Sequence, residues 1–160
     1  MTSDTGAGGR LETADKLVPA SISGDAGFLL AKLHAAGSVV NNKALEEFKL
    51  KERSYSVLAL AASGLTPSQR EMAGFLSLDP SQIVALVDDL EKRGLVLRSP
   101  DKQDRRARIV TATASGERLY TAATKATRQA EAEALNRLSA EEVRELKRLL
   151  RKALWSGLEG

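Results

Sequence analysis

Residues 79–113 constrain the fold more than any other part of the chain, because a well-capped helix is followed there by an abrupt change of apolar period. Asp79 is a favourable N-cap, Pro80 suits the first helical position and Gln82 can close a capping box. A single apolar face follows at helical spacing, made by Ile83, Leu86, Val87 and Leu90. Gly94 suits the left-handed position that ends a helix. We therefore predict a helix that begins at Asp79 and stops before Gly94.

After Gly94 the apolar period shortens to two residues, which predicts strands at residues 95–98 and 108–113. The loop between them, residues 99–107, is charged and rich in turn-forming residues. An earlier helix, which we expect to begin with Pro67 at its first position, runs to Leu76 and is joined to Asp79 by a short turn. Helix, turn, helix and β-hairpin in this order predict a winged helix-turn-helix.

The positive charge of the chain is concentrated around the predicted hairpin. Residues 92–108 hold seven basic and two acidic residues, a net charge of +5, whereas the whole chain carries only +3. The rest of the chain therefore sums to −2. Such local charge is typical of an edge that binds nucleic-acid phosphates.

Residues 79–116 resemble the MarR family of bacterial winged helix-turn-helix regulators. The resemblance lies in the polar start of the helix, the run at residues 86–96, the Asp- and Arg-rich wing and the Thr-Ala-Ser-Gly turn at residues 113–116; it extends more weakly over residues 26–155. Family wings commonly follow Asp-x-Arg-Asp-x-Arg, but Gln103 replaces the first arginine here. Val84 and Ala85 stand where the family often has Thr and Arg. These departures affect the expected DNA target and not the fold.

The resemblance implies a mainly α fold, a winged helix-turn-helix with a two-stranded β-wing and N- and C-terminal dimerisation helices. We expect four segments: a flexible arm at 1–24, an N-terminal dimerisation helix at 25–50, a DNA-binding lobe at 51–113 and C-terminal dimerisation helices at 114–157. The last helix carries a wide apolar stripe, formed by Val143, Leu146, Leu149, Leu150, Ala153 and Leu154. Packing within one chain is the alternative, but the family's intertwined subunits favour a homodimer.

The resemblance also implies a partner, a pseudo-palindromic DNA duplex. The residues that we expect to contact DNA are Ser68, Gln69, Ser81, Gln82, Val84, Ala85, Lys92, Lys102, Gln103, Arg105 and Arg106. The start of the helix is placed to read base edges in the major groove. Two alternatives stay open: Gln82 serves only as a cap, and the wing arginines brace the loop by pairing with Asp101 or Asp104.

Members of the family are often released from DNA by small anionic or phenolic molecules. On this ground Lys32, His34, Arg53 and Tyr55 are candidate ligand-binding residues, because a cation beside a hydrogen-bonding aromatic suits an aromatic carboxylate. The plain alternative is that the cations are solvated and that the tyrosine packs in the core. We thus predict a repressor released by a ligand. Two other functions stay open: a ligand-independent DNA-binding protein, or a winged-helix module for protein–protein interaction, against which the basic hairpin argues.

Other classes of function have little support. The chain has one histidine, no cysteine and no phosphate loop or nucleophile motif, so we expect neither an enzyme nor a metal or other cofactor. Asp88 and Asp89 are predicted to be a solvated helix face. No run approaches the roughly 20 apolar residues of a membrane span, and no signal segment precedes the first helix, so we expect a cytoplasmic protein.

Overall fold

A computed structural model describes residues 16–101, 104 and 107–155. Within these ranges the chain forms six α-helices and one antiparallel pair of strands, which confirms the predicted fold class. The elements are α1 (Ala26–Leu45), α2 (Glu52–Ala61), α3 (Gln69–Leu76), α4 (Pro80–Lys92), β1 (Val96–Pro100), β2 (Arg108–Ala112), α5 (Ala114–Ala134) and α6 (Ala140–Leu154). Short 3₁₀ helices lie at Ser21–Gly24 and Glu46–Phe48.

The chain divides into two compact units, Met1–Gly37 and Ser38–Gly160. In the first unit the Asp25 side chain accepts a hydrogen bond from the Phe28 N–H at 2.9 Å, which caps the start of α1. The leucines that follow on this helix are exposed, with Leu29 and Leu30 each 50% accessible.

The second unit contains the hydrophobic core. Its fully buried large side chains are Leu45, Val57, Leu58, Met72, Ile83, Leu90, Val87, Val96 and Val110. The face predicted for the second helix of the helix-turn-helix is the one that packs inward, with Leu86 half-buried at its edge. Removal of this apolar surface from water is the main force that holds the second unit together.

α3 begins at Gln69, two residues later than the sequence indicated. Its N-cap is Ser68, whose N–H donates to the Glu71 carboxylate at 2.7 Å while its Oγ accepts from the Glu71 N–H at 3.2 Å. The prediction that Pro67 holds the first helical position is therefore wrong. The reason is tertiary: the Pro67 carbonyl accepts from the Val110 N–H at 2.9 Å, and Ser68 forms a β-bridge with Ile109. Ser77, with a left-handed φ of 52°, ends the helix and makes the turn into α4.

The two strands of the wing pair from Val96 with Ala112 to Pro100 with Arg108. The first strand thus runs two residues beyond its predicted end, and the predicted loop is shorter by the same amount. The predicted turn at residues 113–116 is instead the start of α5, because Thr113 Oγ1 accepts from the Gly116 N–H at 3.0 Å.

The last two helices form a hairpin whose arms are joined by an ion pair between Glu131 and Lys147. α5 buries the small side chains of Ala123 and Ala130. α6 begins at a capping box formed by Ser139 and Glu142, but it has no buried residue. None of the helices in the described ranges is long and apolar enough to cross a membrane.

Candidate nucleic-acid interface

The outer face of α4 is the part of the predicted DNA-contact set that the structure describes best. Asp79 is the N-cap and Pro80 the first helical residue, as predicted, and the Asp79 N–H donates to Gln82 Oε1 at 3.3 Å. Because Ile83, Val87 and Leu90 fix the inner face, the opposite side is held towards solvent. The exposed residues of that side are Ser81, Val84, Ala85 and Lys92. The helix therefore presents a mixed polar and apolar surface from its first turn.

Two predicted DNA contacts at the start of α3 already have partners within the protein. Ser68 is the N-cap, and Gln69 Oε1 accepts from Arg98 Nε at 2.7 Å. Both side chains are half-buried. Their roles in this structure are to start the helix and to hold the first wing strand.

Four predicted wing contacts, Lys102, Gln103, Arg105 and Arg106, lie outside the described residues. The flanking backbone closes a tight loop. The Asp101 N–H donates to the Ala107 carbonyl at 3.0 Å, and the Ala107 N–H donates to the Asp104 carbonyl at 2.9 Å. Backbone hydrogen bonds thus hold Asp101 and Asp104 to Ala107.

Arg98 on β1 has a role that the sequence interpretation missed. Its guanidinium pairs with Asp88 at 2.5 Å and Glu91 at 2.6 Å, both on α4, and also donates to the Val84 carbonyl at 3.3 Å. Its backbone N–H donates to Glu91 Oε1 at 3.0 Å. A sequence signal existed, since residues 88 and 91 share one helix face and precede an arginine in the next strand.

These contacts correct two predictions about charge. Asp88 and Asp89 are not merely a solvated face, because Asp88 pairs with Arg98 and Asp89 with Arg93 at 3.5 Å. The net charge of +5 refers to residues 92–108, which exclude these two carboxylates and Glu91. From residue 88 to 108 the net charge is +2. The positive charge of the interface is therefore carried by the wing loop more than by the helix.

The four candidate ligand residues divide between the two units. Lys32 and His34 are exposed on α1 in the first unit, and Lys32 Nζ lies 5.8 Å from the centre of the Phe28 ring. Arg53 is exposed on α2 in the second unit, and Tyr55 is half-buried there.

The Tyr55 side chain packs against α5. Its hydroxyl lies 3.2 Å from Thr124 Oγ1 and 3.3 Å from Thr127 Oγ1, and its ring centre lies 5.8 Å from that of Tyr120. Tyr55 therefore ties α2 to α5, as the core interpretation predicts, while it keeps a partly exposed surface.

A groove of about 870 Å³ lies elsewhere in the second unit, between the ends of α2 and α3 and the base of the wing. Leu60, Leu65, Pro67, Phe75 and Ile109 give it an apolar lining. Arg53 and Tyr55 are not among its lining residues. No group of three or more histidines, aspartates or glutamates in the described ranges is placed to hold a metal ion.

The fold and this interface are those of a winged helix-turn-helix transcription regulator. Residues 50–107 match the sequence model of the MarR family. The HTH-type transcriptional regulator YdcH of Bacillus subtilis (strain 168) is 32% identical over 101 residues, which are 61% of this chain and 69% of that protein. The chain belongs to the MarR family. Regulators of this family are DNA-binding transcription factors, which confirms that the protein is not an enzyme.

Solved structures agree with this assignment. A MarR-family transcriptional regulator from Rhodococcus sp. RHA1 is 37% identical with a TM-score of 0.78, over 84% of this chain and 95% of that one. CouR from Rhodococcus jostii RHA1, bound to p-coumaroyl-CoA, is 34% identical with a TM-score of 0.75, over 88% of this chain and 99% of that one. The similarity thus spans the helices at both ends as well as the winged helix.

Proposed function

We propose that the protein is a repressor that binds a pseudo-palindromic DNA duplex as a homodimer and is released by a small phenolic or anionic ligand. The observation that carries this proposal is the exposed outer face of α4 beside an antiparallel wing, in a chain of the MarR family. In this arrangement α4 enters the major groove and the wing follows the backbone to the next groove.

The proposed base contacts come from the first half of α4. Ser81 and the amide of Gln82 offer hydrogen bonds to base edges, and Val84 and Ala85 offer methyl groups that suit the thymine methyl. Phosphate contacts are assigned to Lys92 at the end of the helix and to the wing loop, with Lys102, Gln103, Arg105 and Arg106. One wing arginine is proposed to enter the minor groove, where a narrow A·T-rich segment attracts an inserted guanidinium.

Dimerisation is supported by apolar surface that the single chain leaves exposed. On α6, Leu149 is 49% and Leu154 is 68% accessible, and no residue of this helix is buried. A helix with so wide an apolar stripe is stable in water only when another surface covers it. We propose that a second copy supplies that surface, with residues 25–50 and 114–157 as the dimerisation segments and 51–113 as the DNA-binding lobe. The two copies of α4 would then lie about 34 Å apart, one turn of DNA.

The ligand proposal is supported by the ligand of CouR, since p-coumaroyl-CoA combines a phenol with the negative charge of phosphates. Arg53 on α2 and Lys32 on α1 are exposed cations of the kind that pair with such groups. Tyr55 adds a partly exposed aromatic ring and a hydroxyl that lies 3.2 Å from Thr124 Oγ1 on α5. His34 completes the candidate set on α1.

The decisive experiment is a footprint and a fluorescence-anisotropy titration with the DNA upstream of the protein's own gene. Wild-type protein is expected to protect a two-fold-symmetric site. The double variant R105A/R106A should bind more weakly, with a plot of log affinity against log salt that is flatter by about one unit per lost phosphate contact. An unchanged slope would assign the two arginines to the loop itself.

The ligand is tested in the same titration with p-coumaroyl-CoA, with p-coumarate and acetyl-CoA as controls for its two halves. Release of DNA by the phenolic thioester at concentrations where acetyl-CoA has no effect supports the proposed class of effector. Tight DNA binding that none of the three weakens would contradict it and favour a regulator that needs no ligand of this class.

A further inference from the structure

We infer that Arg98 is the residue that positions the wing against the recognition helix α4 and offsets part of the negative charge of that helix where it faces the wing. The inference rests on the proposed DNA-binding function and adds to it a residue that itself needs no contact with DNA. Arg98 achieves this because its guanidinium connects β1, on which it lies, to both α3 and α4.

The geometry makes Arg98 the centre of a network and not one partner of a single pair. Three of its donors bind three different side chains, Asp88, Glu91 and Gln69, at 2.5 to 2.7 Å. A planar guanidinium can hold all three at once, because its five N–H groups point in fixed directions. The Arg98 side chain is only 18% exposed, so these bonds lie in a partly desolvated place where they are stronger than at an open surface.

The network fixes the distance between the wing and α4, on which recognition of the duplex depends. β1 leads directly into the wing loop, while Asp88 and Glu91 lie one turn apart on α4. The wing and α4 must reach neighbouring grooves together, so a small rotation of one against the other removes contacts from both. The backbone bond from the Arg98 N–H to Glu91 places the strand itself and not only its side chain.

The same network decides what charge α4 shows to the duplex. Asp88 is 47% and Glu91 is 36% exposed, so without Arg98 two carboxylates would stand beside the proposed phosphate contacts of Lys92 and the wing. These carboxylates would repel the DNA phosphates, and the repulsion is stronger near a low-dielectric protein surface than in open water. Arg98 therefore supports binding both by its position and by neutralising one of these two charges.

The test compares DNA affinity for wild type, R98Q, D88N and R98Q/D88N, by anisotropy on the operator fragment. R98Q is expected to weaken DNA binding roughly tenfold or more, because residues of one hydrogen-bond network are energetically coupled. Adding D88N to R98Q should recover several-fold, because it removes the uncovered charge. D88N alone should bind at least as tightly as wild type, since asparagine still accepts from Arg98 while Glu91 and Gln69 hold it.

Two further variants separate this role from general stability. R98K keeps the charge but not the three directed bonds, so it should recover only part of the affinity that R98Q loses. R93Q removes an equal charge from the end of α4, where Arg93 binds the Phe48 and Lys49 carbonyls and not the wing, and should weaken DNA binding less than R98Q does.

The inference is overturned if R98Q binds within twofold of wild type, or if D88N fails to improve R98Q. Should R98Q not fold, D88N decides alone: weaker binding than wild type overturns the inference, and equal or tighter binding supports it. Failure of the proposed function itself is recognised separately, because wild-type protein would then bind no operator fragment.

Discussion

Replacement of Gly116 by alanine is predicted to destabilise the protein, although alanine is the better helix former. Gly116 is a buried residue in the first turn of α5. A Cβ at this position would lie 1.9 Å from the Leu95 carbonyl oxygen and 2.9 Å from the Leu95 carbonyl carbon. These are backbone atoms, so no side chain can turn aside. The start of α5 must instead move by roughly 1.5 Å to bring this contact to an ordinary 3.4 Å.

The size of the effect follows from what that movement breaks. Overpacking of this kind costs about 1–3 kcal/mol. The displaced turn also carries Thr113, whose N–H donates to the Leu95 carbonyl at 3.0 Å and whose Oγ1 donates to the Gly94 carbonyl at 2.6 Å. Each lost hydrogen bond is worth about 1 kcal/mol, while the helix preference of alanine returns about 1 kcal/mol. We expect a net loss of about 2–4 kcal/mol in the free energy of unfolding.

Urea denaturation followed by circular dichroism measures this change. All variants are compared at one protein concentration, because the stability of the proposed dimer depends on protein concentration. Gly74 in α3 is the matched control, since an added Cβ there has nothing within 4 Å. Gly74→Ala should leave stability unchanged or raise it by up to about 1 kcal/mol. The reasoning fails if Gly116→Ala is as stable as wild type, or if both variants shift the midpoint equally.

Three more predictions concern local backbone and capping. Thr66 is a β-branched residue at a left-handed φ of 49°, so Thr66→Gly should raise the free energy of unfolding by about 1 kcal/mol, measured by urea denaturation; a loss would show that the threonine side chain matters more than the strain. Hydrogen bonds from the Ser68 backbone and side chain hold the pKa of Glu71 below its ordinary value. The stabilisation is therefore complete above the pKa of the unfolded chain and is lost as the pH falls through that of the folded protein, so the stability gap between wild type and Glu71→Gln should close in acid. Gln82→Glu keeps the acceptor that caps α4 but loses the amide donor, so stability should hold while binding-site selection gives an altered operator; an unchanged operator would make Gln82 a cap alone.

Local signals predicted the recognition helix well. The Asp79 cap, the proline at the first position and the stripe through Ile83, Val87 and Leu90 act within one or two turns, so neighbouring residues suffice to define the helix.

The errors arose where distant residues decide the local structure. Pro67 was placed inside α3, but pairing of its carbonyl with Val110 on β2, 43 residues later in the chain, keeps it extended. The charge of the hairpin was overestimated because a count along the chain does not show that Arg98 and Arg93 are paired with carboxylates of α4. The close approach of Gly116 to Leu95 likewise depends on how α5 meets β1, which no local pattern specifies.

The recognition helix divides its tasks along its length. Its exposed positions 81, 84 and 85 lie in the first half, while Asp88 and Glu91, which hold Arg98, lie in the second. A change of target preference therefore requires substitutions only in the first half of the helix, and these leave the contacts of Asp88 and Glu91 with Arg98 intact. We expect this separation to let related regulators diverge in the operators they recognise while they keep one rigid scaffold. It also marks positions 81, 82, 84 and 85 as those to randomise when a new DNA specificity is sought, with Ile83 kept for the core.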